Sequence, residues 1–279
     1  MTIEQTADHM PQPTPDVVQH RFYGPAMPAL NWVPAPRYLM RRDLLLRIFA
    51  GMKPGRMIEY GCGAGSLLTE LTAQGFEALG VDQSPSALRL ARTLAADDPA
   101  MDVAATDAEA APESFDYLTA FEVLEHIEDD HAALADWSQY LRPGGTLVIS
   151  MPAHPHRWNA ADEWAGHFRR YRREDMTALV EGAGYEVMDI QSYGFPIANA
   201  MEKFGAKIYA SQTAGDDRAE MDITDRTEAS GTDRKLLTKL WPIYSALPAA
   251  LAFRALLGFQ RLFTKGDRGI GYIVVARKR

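Results

Sequence analysis

Short apolar runs alternate with helix-period segments along most of this chain, and no other feature constrains its fold as strongly. Arg56–Tyr60, Phe76–Val81, Met101–Thr106, Phe115–Val123, Thr146–Met151, Tyr185–Ile190 and Tyr272–Ala276 read as strands. Ser66–Ala73, Pro85–Ala96, Asp130–Leu141 and Glu174–Glu181 read as the helices between them, and Pro36–Ala50 as a helix before the first strand. Ser84 supplies the N-cap and Pro85 the first position of one helix. Pro143-Gly144-Gly145 introduces the fifth strand. Phe115–Val123 is apolar almost throughout, as a strand covered on both faces must be. Strand–helix alternation of this kind makes an α/β domain built on a mostly parallel sheet.

The 279 residues suit one large domain with an elaboration. With 29 basic and 37 acidic residues the formal charge is −8, so no nucleic-acid partner is expected. A lone cysteine, Cys62, excludes a disulfide scaffold or a cysteine-rich zinc site and fits a cytoplasmic setting. No secretory signal is expected, and the apolar run between Lys239 and Arg254 is too short to span a bilayer. Residues 1–35 read as an N-terminal extension, partly disordered. Residues 36–194 and 271–279 form the core. Residues 195–270 form an insertion where a tight hairpin would suffice. Inside it, an acidic stretch near 211–235 reads as a mobile loop, flanked by apolar stretches at Phe195–Tyr209 and Leu236–Phe263. Their apolar side chains, Trp241 and Tyr244 among them, are too many for an exposed loop. Lid helices over the acceptor site are the first reading, a homodimer interface the second and an interfacial membrane helix the third.

Glu59-Tyr60-Gly61-Cys62-Gly63-Ala64-Gly65 closes the first strand and opens a helix, and Asp82 closes the next strand. Glycines there let backbone approach a ligand, and an acid at that distance accepts hydrogen bonds from ribose hydroxyls. The pair indicates an adenosine-containing cofactor. The glycines recur at every second position, and Ser66 stands where a dinucleotide fingerprint needs glycine. This spacing resembles the first motif of class I S-adenosylmethionine-dependent methyltransferases. Val81-Asp82-Gln83-Ser84, Thr106-Asp107-Ala108, Phe115-Asp116 and Leu141-Arg142-Pro143-Gly144-Gly145 resemble their later motifs in order, over about residues 36–194. The resemblance implies a Rossmann-like, mostly parallel seven-stranded sheet and S-adenosyl-L-methionine as cofactor. It assigns Gly61, Gly63 and Gly65 to the methionine moiety and Glu59 to loop organisation and the cofactor amino group. Asp82, beside Gln83, goes to the ribose, Asp107 and Ala108 to the adenine, and Phe121 and Glu122 to the neighbourhood of the sulfonium.

Five of the seven histidines fall between His126 and His167, after strands four and five, where open parallel sheets bind ligands. Glu122-Val123-Leu124-Glu125-His126 resembles a segment of ubiquinone-pathway and small-RNA O-methyltransferases, in which such acids and histidines can hold a divalent ion. By that resemblance Glu122, Glu125, His126 and His167 are candidate ligands. The alternative is that His126 or His167 acts as catalytic base or positioning group, or that the segment only caps a turn. Asp162–Tyr171, with Arg169, Arg170, Arg172 and Arg173 close by, resembles a loop of glycan-pathway methyltransferases. Its arginines either meet an anionic substrate or pair with Glu174 and Asp175. The expected activity is methyl transfer to a small-molecule, sugar or lipid-linked glycan acceptor, at oxygen. The rivals are aminopropyl transfer or cyclisation on the same cofactor, a nicotinamide-dependent oxidoreductase, and a non-catalytic binding protein.

Overall fold

Met57, Ile58 and Tyr60 alternate between two apolar layers, and this period-2 pattern is what a strand sandwiched between helices requires. The protein is described by a computed structural model at residues 17–202 and 234–279. Strands β1 (Val18–His20) and β2 (Gly24–Ala26) form a small antiparallel ribbon. It leads to α1 (Pro36–Ala50), β3 (Arg56–Tyr60), α2 (Ser66–Thr72), β4 (Glu77–Val81), α3 (Pro85–Ala95), β5 (Met101–Ala104) and β6 (Phe115–Phe121). Then come α4 (Asp130–Ser138), β7 (Leu141–Pro152), α5 (Ala160–Ala165), α6 (Arg173–Gly182) and β8 (Tyr185–Tyr193). After the insertion's α7 (Lys235–Tyr244) and α8 (Leu247–Gln260), β9 (Gly271–Lys278) closes the fold.

The large sheet has seven strands in the order β5-β4-β3-β6-β7-β9-β8. Strands β3 to β7 are parallel, and β9 runs against both β7 and β8. The α/β fold and the mostly parallel seven-stranded sheet are therefore as expected. One apolar layer joins Leu134 of α4 and Met176, Leu179 and Val180 of α6 to the sheet. The opposite layer joins Met40, Leu44 and Phe49 of α1 and Leu67, Leu68 and Leu71 of α2. Because β3 to β7 point the same way, the loops that follow them share one edge.

Several boundaries differ from the sequence reading. β6 ends at Phe121 because Glu122 takes a left-handed φ of 59° and turns the chain out of the sheet. β7 begins at Leu141, so the Pro143-Gly144-Gly145 segment lies within the strand, where Phe115↔Leu141 pairing starts before a register shift. β8 continues to Tyr193 because β9 is long enough to pair with it from Tyr185↔Lys278 to Tyr193↔Gly271. β5 stops at Ala104, and α5 was not foreseen. Val17 to Ala35, assigned to the extension, is described and contributes Tyr23, Ala26 and Val33 to a buried cluster with Leu39, Trp241 and Ala250. The expected disorder at the start of the chain, the mobile loop near 211–235 and the second half of Phe195–Tyr209 fall on residues 1–16 and 203–233, outside the described residues.

Candidate active site

All three glycines of the loop after β3 have left-handed φ angles: 65° at Gly61, 57° at Gly63 and 71° at Gly65. At Gly61 a Cβ would sit 2.5 Å from Val123 Cγ2. At Gly63 a Cβ would meet nothing within 4 Å, so the loop there faces open space that a ligand can enter. Asp82 holds this cradle in place. Its Oδ2 accepts the Gly63 N–H at 2.8 Å and its Oδ1 accepts the Ser84 N–H at 2.9 Å. One carboxylate thus fixes both the glycine loop and the start of α3. Gln83 beside it is exposed. Glu59 is buried on β3, with Oε2 lacking a hydrogen-bond partner. Burial pushes its carboxyl up to about 8, with Arg41 opposing and Asp82 adding. Asp107 accepts the Tyr60 hydroxyl at 2.7 Å, and the Tyr60 ring stacks on Trp137 at 4.5 Å. Ala108 is exposed next to it.

Across the edge, Phe121 is buried in the layer beneath α1. Glu122 Oε2 accepts Arg37 Nη2 at 2.8 Å, and its Oε1 lies 3.6 Å from Arg41 Nη1 and accepts the Ser150 hydroxyl at 3.0 Å. Burial opposes ionisation of Glu122, but Arg37 and Arg41 outweigh it and hold its carboxyl below the usual range. Arg37 and Arg41 were missed in the sequence reading. Their one-turn spacing on α1 was the available signal.

The single helical turn Leu124–His126 carries Glu125 and His126 inward. Glu125 is fully buried, neither carboxylate oxygen has a hydrogen-bond partner, and burial and the nearby Glu122 push it well above its ordinary range. The rings of His126 and His167 meet edge to face at 4.6 Å. Ligand-type atoms of Glu125, His126 and His167 all lie within 4.8 Å of one another. Among the described residues this group could hold a divalent cation, since an orphaned buried carboxylate needs either a proton or a cation. Glu122 departs from the expected ligand set because two guanidinium groups engage it. Burial, with His167 adding to it, pushes His126 down to about 4, so its imidazole is neutral near pH 7.

Local structure explains how His167 arrives. Asn159 and Asp162 form a capping box at the start of α5, and Gly166 at φ 73° ends that helix. Phe168 N–H then donates to the Glu125 carbonyl at 2.7 Å, stitching this loop to the turn after β6. Asp162 Oδ1, 1% exposed as a residue, takes His167 Nδ1 at 2.9 Å and Arg170 Nε at 2.8 Å. Burial opposes the Asp162 charge, but His167 and Arg170 hold its carboxyl at about 2. Two of the four clustered arginines therefore have partners within the protein: buried Arg170 pairs with Asp162 and Glu202, and partly exposed Arg169 with Asp130.

The described part of the insertion is helical. Its α7 and α8 pack on the N-terminal segment and α1. Tyr23 OH donates to the Tyr244 carbonyl, Gln260 Nε2 to the Met40 carbonyl, and Arg261 pairs with Asp43. Trp241 meets His20 and Tyr23 edge-on or tilted. These two helices reach the site through α1, the helix that carries Arg37 and Arg41.

The methyltransferase domain family matches this chain over residues 35–190. Ubiquinone biosynthesis O-methyltransferase from Alkalilimnicola ehrlichii is 31% identical over 117 residues, which cover 40% of this chain and 47% of that protein. The chain spans about half the length of the curated relatives it matches. In structure it resembles the cyclase SpnF, with a TM-score of 0.53 at 19% identity over 85% of this chain and 81% of that one. It also resembles phosphoethanolamine N-methyltransferase 2 of Haemonchus contortus bound to S-adenosyl-L-methionine, with a TM-score of 0.52 at 18% identity over 85% of this chain and 52% of that one. These two likenesses establish the fold alone. The matched span, the alternating glycines after β3 and the acid after β4 agree: the chain belongs to the class I S-adenosylmethionine-dependent methyltransferases.

Proposed function

We propose that this protein methylates a hydroxyl oxygen of a small-molecule acceptor, a class that includes sugar and lipid-linked glycan hydroxyls. The observation that carries the reading is the buried, unpartnered Glu125 carboxylate beside His126 and His167. S-adenosylmethionine, when bound, supplies a methyl group on a sulfonium, and the protein's task is alignment and exclusion of water. Gly61, Gly63 and Gly65 would face its methionine portion, Asp82 its ribose, and Asp107 and Ala108 its adenine. Arg37, whose guanidinium is partly exposed, would meet the methionine carboxylate.

A neutral hydroxyl attacks poorly until its proton is removed. With Asp162 ionised, the hydrogen of His167 sits on Nδ1 and Nε2 is left as the accepting atom. His126, held neutral by burial and weakened as a base by it, can hydrogen-bond the acceptor at the same place. Glu125, His126 and His167 would hold a divalent ion, which would lower the pKa of an acceptor hydroxyl. The His167–Asp162 pair supports a second reading, in which His167 is the base without any ion. The test is exhaustive chelation followed by Mg, Mn or Co, with turnover and S-adenosylhomocysteine affinity both measured. Loss and restoration of turnover at constant affinity supports the ion. Full turnover after chelation leaves His167 as the base. Turnover with no oxygen-methylated product on any hydroxyl-bearing acceptor sinks the proposal.

A further inference from the structure

The inner faces of α7 and α8 are buried: Trp241, Ala250 and Leu257 lie against the N-terminal segment and the α1 layer. Their outer faces are apolar and uncovered. Leu236, Leu240 and Ile243 on α7 are 63%, 42% and 68% exposed, and Leu247, Leu251 and Phe259 on α8 are 60%, 48% and 45% exposed. A surface patch of this kind calls for an occupant. Lys235 to Phe263 contains Lys235, Lys239, Arg254 and Arg261 and no acidic residue, in a chain of net charge −8.

We propose that this face docks the protein on an anionic lipid bilayer. An apolar surface flanked by cations, on a protein that is otherwise acidic, is complementary to hydrocarbon beneath negative headgroups. A second copy of the chain fits less well, because a two-fold interface would set Lys239 and Arg254 of each copy against a face with no acid to receive them. The helices lie on the membrane and do not cross it. With 10 and 14 residues they are about 15 and 21 Å long, against about 30 Å of hydrocarbon, and no single helix among the described residues is long and apolar enough to span. They also bend by 100° at the break between them. Gln260 and Arg261 tie this surface to α1 through Met40 and Asp43, so docking places the arginine side of the active site next to the lipid.

The experiment is flotation of the full chain with phosphatidylcholine vesicles, with and without phosphatidylglycerol, beside sedimentation of the free protein. The protein is expected to float with phosphatidylglycerol vesicles and to be released by salt. Ile243→Glu/Leu247→Glu/Leu251→Glu changes exposed positions only, so melting temperature and S-adenosylhomocysteine affinity should hold while the bound fraction falls about tenfold or more. Lys239→Glu/Arg254→Glu leaves the apolar face intact and should lower binding to the anionic vesicles selectively. The proposal is overturned by failure to float with phosphatidylglycerol vesicles. Unchanged flotation of the triple variant overturns it too. So does a dimer of the native chain that the triple variant converts to monomer, because the face then belongs to a second copy.

Discussion

The two halves of the sheet's binding edge are built differently. In the half beyond β3, β4 and β5, each candidate contact sits at or just past the end of its own strand, and Asp82 accepts the Gly63 and Ser84 N–H groups. In the half beyond β6 and β7, the site is pooled from distant segments: Arg37 and Arg41 from α1, Glu122 to His126 after β6, Asp162 to Arg170 around α5, and Glu202 from the insertion. The first half is a short-range motif repeated down the sheet. The second is an ion-pair network that exists only once the chain has closed on itself. A cofactor common to many enzymes suits the first arrangement, and an acceptor particular to this one suits the second.

This contrast predicts separable defects. The largest should follow His167→Ala, which removes the candidate base and should lower kcat by about a hundredfold to ten-thousandfold. S-adenosylhomocysteine affinity, read by calorimetry, should stay unchanged, and a matching loss of affinity would merge the two halves. Asp162→Ala comes next. It strips buried Arg170 and His167 of their shared acceptor and should cost about 3–5 kcal/mol of stability in urea unfolding. A stable Asp162→Ala protein would show that the network is ornamental.

Asp82→Ala tests the cofactor half. Losing the acceptor of the Gly63 and Ser84 N–H groups as well as the proposed ribose partner should weaken S-adenosylhomocysteine by about tenfold, roughly 1–3 kcal/mol. Turnover at saturating cofactor should hardly move. The smallest effect is acid sensitivity. The folded His126 pKa of about 4 lies below the usual histidine value of about 6.5, so the unfolded chain binds the extra proton first. That contribution is complete above the unfolded pKa and is lost as pH falls from about 6.5 to 4. The melting temperature should therefore drop by a few degrees over that window, and His126→Asn should flatten the drop. An unaltered slope in the variant would place His126 in water.

Legibility in the sequence followed the same divide. The alternation of strands and helices, the glycine loop and Asp82 depend on residues a few positions apart, and these are the features read directly from the chain. Glu122, Glu125, His126 and His167 were candidates as a set, through the resemblance of the Glu122–His126 segment to metal-holding O-methyltransferases. Glu122 shows the limit of that approach. By spacing it belongs with Glu125, yet a left-handed turn at its own position and two arginines from a helix 85 residues earlier take it elsewhere. In the sequence Asp162 is only one acid of a loop. Its role comes from being 1% exposed between an imidazole and a guanidinium.

By itself, then, the sequence determined the elements and the cofactor cradle, because periodicity, turn chemistry and left-handed glycines act within a few residues. The tertiary structure decided which charges neutralise one another, which carboxylate is left without a partner, and which face of α7 and α8 stays open. Those outcomes depend on burial, and burial is a property of packed layers. The cost of an uncompensated charge is set by the neighbours that packing brings, and no spacing along the chain records them.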